Sequence, residues 1–161
     1  MTKRFHLAED IQSAHFCSKP PSFAGRQSAK RGAKADGLRY ERKVQEVFYA
    51  SDWYLPGPWI LYVVAGAPYW CQPDGLHFDL SRGHITVVEI KLKHTPDSQR
   101  QLRGVYEPVL RRIFARPAWG VSLVEVCKWY DPDIRYPERH EMISDPFNHF
   151  STHIGVHILR P

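Results

Sequence analysis

Apolar and polar positions recur with two different periods along this chain, and the changes of period mark its elements. Leu38, Tyr40, Val44, Val47 and Phe48 recur at roughly helical spacing after Asp36, a residue suited to cap a helix start. This predicts an amphipathic helix over 37–51. A turn-rich link follows, Trp53-Tyr54-Leu55-Pro56-Gly57-Pro58. The apolar, β-forming run at 59–64 reads as a strand, and 76–80 and 85–92 read as two more, joined around Ser81-Arg82-Gly83. The helical period then returns in Leu102, Val105, Tyr106, Val109, Leu110 and Ile113. A second helix is therefore expected from Pro96-Asp97 to about Ala115, capped by Asp97 or Thr95 and kinked or broken at Pro108. Positions 121–129 read as the next strand, 131–150 as an irregular excursion and 153–159 as a last strand. The order is helix, three strands, helix, strand and an appendix, without internal repeats.

At 161 residues the chain is long enough for one domain with a substantial core. It contains no apolar run of transmembrane length, and its first residues lack the apolar stretch of a secretory signal. Cys17, Cys71 and Cys127 are scattered and form no CxxC pair, which argues for a reducing, intracellular and so cytoplasmic setting.

Charge changes the picture more than composition does. Residues 1–35 carry seven Lys or Arg against two Asp or Glu, which accounts for the whole formal net charge of +5. The rest of the chain, 36–161, is neutral. A basic arm, disordered by its Pro, Gly, Ser and Ala content, on a neutral body suits attraction to a polyanion. Lys30, Arg31 and Lys34 of the arm, and Arg100 and Arg103 of the second helix, are the candidate nucleic-acid contacts, with Arg111 and Arg112 on the same helix.

Two charges stand out inside the apolar strand 85–92, Glu89 and Lys91, where burial is costly without partners. Side chains alternate along a strand, so Ile85, Val87, Glu89 and Lys91 share a face. Asp74 shares a face with Leu76 and Phe78 on the strand before it. A two-residue turn at Ser81-Arg82 sets Asp74 opposite Glu89, and one at Arg82-Gly83 sets it opposite Lys91. A three-residue loop would present His77 and Asp79 instead. Asp74 and Glu89 then offer hard oxygen ligands for one or two Mg²⁺ or Mn²⁺ ions, with the Ile90 carbonyl as a further ligand. Lys91 is placed to orient or deprotonate an attacking water and to stabilise charge on a phosphate.

Pro73-Asp74, a gap of fourteen residues and Glu89-Ile90-Lys91 together resemble the signature of the PD-(D/E)XK nucleases, over roughly 37–130. The resemblance implies an α/β (α+β) fold with a restriction-endonuclease-like core, a central mixed β-sheet flanked by helices in the order αβββαβ. It implies a third acid on the first helix, Glu41, with Glu46 as its fallback. It is similar to a subgroup with a QxxxY motif on the second helix, although here Gln101 is followed by Tyr106, one residue late; Gln99 competes with Gln101. Implied as activity is Mg²⁺-dependent hydrolysis of DNA phosphodiesters, in phage or mobile-element recombination or processing, with room for a homo-oligomer. A Holliday-junction resolvase and a catalytically inactive nucleic-acid-binding protein of the same fold are the alternatives. Two weaker patterns remain. His149, His153 and His157 would stack for zinc on a helix, but the alternation over 154–159 argues against a helix there. His94, just past the acidic strand, is either a phosphate contact or a plain turn residue.

Overall fold

The computed structural model describes residues 6–25 and 32–161 and has a mixed α/β architecture with two sheets. Its elements run β1 (Ile11–Cys17), α1 (Ala33–Phe48), β2 (Tyr54–Pro56), β3 (Trp59–Val64), β4 (Ala67–Cys71), β5 (Gly75–Asp79) and β6 (His84–Lys93). A helical segment follows as α2 (Pro96–Gln101), a π-helical stretch (Leu102–Tyr106) and α3 (Glu107–Ile113). Last come β7 (Gly120–Trp129), β8 (His140–Ile143) and β9 (Ile154–Ile158). The larger sheet has the order β2-β5-β6-β7-β9-β8 and the smaller one β1-β3-β4. Antiparallel pairing joins β2, β5 and β6, whereas β6-β7, β7-β9 and β8-β9 are parallel, so the larger sheet is mixed. The helical segment Pro96–Ile113 is the crossover that a parallel β6-β7 pair requires.

β6 and β7 are apolar on both faces because both faces are covered. One face, carrying Val88, Ile90, Val124 and Val126, packs against Tyr40, Val44 and Phe48 of α1. These three recur every fourth residue, the period that puts them on one stripe. The other face, with Ile85, Val87, Val121 and Leu123, packs against Leu102, Tyr106, Val109 and Leu110 and against Ile11, Ile60 and Tyr62 of the smaller sheet.

Several expectations are corrected. The first 35 residues are not a disordered arm throughout. Ile11–Cys17 is a strand paired with β3, and Ile11, Ala14 and Phe16 pack on the core, so apolar burial fixes a segment whose composition reads as loose. The order αβββαβ undercounts the strands, and 59–64 does not join the central sheet; its partners are β1 and β4. The first helix begins four residues earlier than predicted, and the excursion 131–150 contains β8. At Pro108 the helical path continues, but only after a π-helical turn in which the Glu107 amide donates to the Leu102 carbonyl. Pro108 cannot donate to the Gly104 carbonyl, and the His6 amide donates to it instead at 3.4 Å. Lys30 and Arg31 lie outside the described residues, while Lys34 is exposed on α1. Among the described residues no helix is long and apolar enough to cross a membrane.

Candidate functional site

The β5-β6 hairpin decides which acids meet. Its register pairs Asp79 with His84 and Gly75 with Val88, so the next pair outward is Asp74 with Glu89. The connecting loop, 80–83, has an even number of residues and therefore keeps the parity of the shorter turn. Asp79 lies at the loop end, where its Oδ1 accepts from Ser81 Oγ at 2.6 Å and from the Arg82 amide at 3.1 Å. It is a turn former, remote from Glu89 along the ladder.

Asp74 is fixed by both its side chain and its backbone. Its Oδ2 accepts from the Ile90 amide at 2.6 Å. Its carbonyl accepts from the Gly57 amide at 2.9 Å and from Gln45 Nε2 at 2.6 Å. Gln45 in turn accepts from the Tyr54 hydroxyl at 2.5 Å. The Ile90 amide and carbonyl project to the same edge of an extended strand, so the Ile90 carbonyl also faces the Asp74 side.

Glu89 is 1% exposed and its Oε1 lies 2.5 Å from Lys91 Nζ. The Glu89 side chain stands beside that of Asp74, and the Glu41 charge acts on both Asp74 and Lys91. Glu41 is half-buried on α1, whereas its fallback Glu46 is exposed. Burial, and then Glu41, push Asp74 up to about 6, against the opposing pull of the Ile90 amide, Lys91 and Glu89. Burial works to lower Lys91, but Glu89 with Asp74 and Glu41 outweighs it and holds the ammonium above its ordinary range. Without a bound ion, its carboxylate neighbours thus hold Lys91 as the ammonium.

Gln101 donates to the Tyr106 hydroxyl at 3.1 Å, and that hydroxyl donates to the Gln72 carbonyl, two residues before Asp74, at 3.1 Å. Burial and then the Glu89 and Asp74 charges hold the Tyr106 phenol well above its usual range, so it stays a neutral donor. The π-helical turn explains how a tyrosine one residue late still meets Gln101. A π turn takes up about one residue more than an α turn, so positions five apart fall on one face.

The oxygens of Asp74 and Glu89, with the Ile90 carbonyl on the Asp74 side, are hard donors of the kind a divalent cation takes. A cation there would relieve the raised proton affinity of Asp74. Among the described residues no group of three His, Cys, Asp or Glu is drawn around one ion-sized point. Glu41 acts on Asp74 through its charge.

Other expected residues are engaged elsewhere. Arg103 binds Glu138 at 3.1 Å, Glu107 at 2.9 Å and the Thr152 carbonyl at 2.7 Å, so it is a structural cross-link and not a free phosphate contact. Arg100 is exposed and pairs with Asp97. Of the histidines, His149 bonds the His153 carbonyl and His157 the Ile143 carbonyl, in a strand region that does not stack them. His94 is buried, with Nδ1 2.8 Å from Glu125 Oε2. Glu125 also accepts from the Thr95 amide and Ser98 Oγ, which ties β7 to the start of α2. Sequence reasoning missed Gln45 and the bond that Tyr54 makes to it. Gln45 could have been found, because it follows Glu41 by four residues on the same helix face.

Comparison with family models, with curated proteins and with solved structures gave no match to this chain.

Proposed function

We propose that the chain is a metal-dependent nuclease that hydrolyses DNA phosphodiesters, built on a restriction-endonuclease-like core of the PD-(D/E)XK kind. The observation that carries the reading is the meeting of Asp74, Glu89 and Lys91 at one end of the β5-β6 ladder, with the Asp74 carboxylate on the Ile90 amide. A merely solvated surface hairpin would not bury Glu89 to 1% exposure. Four fully or nearly buried apolar side chains of β6 stabilise the strand by about 1.5–3 kcal/mol each. That gain offsets the several kcal/mol that burying the Glu89 carboxylate costs.

In this mechanism Asp74, Glu89 and the Ile90 carbonyl would hold Mg²⁺ or Mn²⁺. The bound ion supplies Lewis-acid activation of water and neutralises the entering and leaving oxygens. Lys91, kept charged by Glu89, stabilises negative charge on the scissile phosphate. Gln45 and Tyr54 hold the Asp74 backbone, and Tyr106 holds the chain through Gln72, so the ligands are oriented before substrate arrives. Glu41 adds negative charge that strengthens cation binding.

The test is incubation with linear duplex, circular single-stranded and four-way-junction DNA, in Mg²⁺ or Mn²⁺ and in EDTA. Cleavage that needs the ion and is lost in Glu89→Ala and Lys91→Ala is expected. Cleavage surviving both substitutions, or absent from every substrate, would sink the reading.

A further inference from the structure

The carboxyl ends of β6 and β7 carry a second feature that the hydrolytic site does not use. Trp129 ends β7 with 48% of its surface exposed. The Arg160 guanidinium lies 5.0 Å and the Lys128 ammonium 5.4 Å from its ring centroids. Lys93, exposed at the end of β6, is its register partner. Beside them opens a cleft of about 410 Å³ lined by Lys93, Trp129, Tyr130, Asp131 and Ile134. Lys93 is two residues beyond Lys91 on the same strand. Trp129 therefore lies roughly 8 Å, Cα to Cα, from Lys91 by strand rise and strand spacing. That is a span of two or three stacked nucleotides at about 3.4 Å each.

We propose that Trp129, with Lys93, Lys128 and Arg160, is a stacking platform for single-stranded DNA next to the Asp74–Glu89–Lys91 site. The proposal deepens the nuclease reading and rests on it for the identity of the polyanion. Three cations around one exposed ring match a ligand that alternates flat bases with phosphates; Asp131 is the acid among them. In the free protein the two long cationic side chains lie over part of the ring. A phosphate draws each of them off, and a base takes the place left on the indole. Inside duplex DNA the bases stack on one another and only the terminal pairs present a face to Trp129, so the platform favours single strands, overhangs or flaps.

The experiment measures binding of a labelled twelve-residue oligothymidylate and a blunt duplex of the same length to the full chain in EDTA. Trp129→Ala is expected to weaken single-strand binding about fivefold to a hundredfold, the range for one stacked base. Duplex binding should stay within about twofold, and Trp129→Phe should keep most of the single-strand affinity. Should Trp129→Ala fail to fold, Trp129→Leu, which keeps bulk without a π face, replaces it with the same expectation. Lys128→Gln with Arg160→Gln should reduce the single-strand salt slope by about 1.4, at about 0.7 per phosphate. Unchanged single-strand affinity without the indole, equal losses on both probes, or equal competition by polyglutamate overturns the platform. If no substrate is cut with Mg²⁺ or Mn²⁺ while the Trp129 effect persists, the hydrolytic reading fails and the platform stands.

Discussion

Asp74 sits beside Glu89 within reach of the Glu41 charge, and bonds to its side chain and backbone hold it against that repulsion. The consequence is a linkage with a definite sign. The folded-state value of about 6 lies above the ordinary 3.8, so between those values the folded chain binds more protons than the unfolded one. Stability without divalent ions must then fall as pH rises from about 4 to 6, by at most about 3 kcal/mol at 1.36 kcal/mol per unit. Asp74→Asn keeps an acceptor for the Ile90 amide but removes the charge. Denaturant titrations in EDTA should find the variant more stable than the parent above pH 6 and free of most of this slope, and the variant should not cleave DNA. Mg²⁺ should raise the melting temperature of the parent and not of Asp74→Asn; an Asp74→Asn protein as pH-dependent as the parent contradicts the account. Lys91 carries a second prediction. As a fixed cation it adds no titration of its own to a pH–rate profile near neutrality, and Lys91→Ala should cost about 10²–10³ in rate, as loss of one electrostatic stabiliser does. A profile that loses a limb in Lys91→Ala would instead make Lys91 the base. Both roles begin with residues whose meeting was legible in the sequence, because strand parity depends only on whether the loop count is even. The bond that Gln45 makes was not legible, since it goes to a backbone carbonyl 29 positions away, which no side-chain pattern records.

The elements near the site are packed closely enough for one methyl group to matter. A Cβ on Gly75 would stand 2.1 Å from Tyr54 Oη and 2.5 Å from the ring carbon that bears it. Tyr54 fills that space while donating to Gln45, and Gln45 donates to the Asp74 carbonyl, so the glycine, the ring and the site form one chain of contacts. Gly75→Ala should therefore destabilise by about 1–3 kcal/mol, the usual cost of overpacking. It should also lower Mg²⁺ affinity, measured by calorimetry on the folded protein; an unchanged affinity would mean that Tyr54 does not hold Asp74. The same region marks what sequence pattern can and cannot resolve. The strand 59–64 was readable from its β-forming run, but its sheet was not. Pairing depends on β1, concealed in a basic segment, and on β4, whose Ala67-Pro68-Tyr69-Trp70 lacks a clean alternation. The helix 96–113 was readable from its apolar stripe, yet its π turn was not. Helical periodicity assumes 3.6 residues per turn, and the Gln101–Tyr106 contact exists because five residues there replace four.

For the molecule as a whole, the segment that carries its net charge also supplies part of its core. β1 pairs along β3, Ile11 is 2% exposed, and Ala14 and Phe16 pack on the same cluster. Full burial of Ile11 is worth about 1.5–3 kcal/mol, and half-buried Phe16 and Ala14 add part of that again. That is a large share of the 5–15 kcal/mol by which a domain of ordinary stability stays folded. Removing residues 1–35 to test a basic arm would thus remove a core strand and confound loss of fold with loss of charge. The separable test leaves β1 in place and changes Lys30, Arg31 and Lys34 to Ala. The triple variant should melt within a few degrees of the parent, and that measurement separates loss of charge from loss of fold. Its duplex DNA affinity should fall most at low salt. The slope of log affinity against log salt should drop by up to about 2.7, at about 0.9 for each phosphate that is no longer neutralised. Deletion of residues 1–17, by contrast, should lower the melting temperature by 10 °C or more, at roughly 2–4 °C per kcal/mol for a chain of this length. An unchanged salt slope in the triple variant would move the electrostatic contribution away from these three residues, toward Lys93, Lys128 and Arg160 around Trp129.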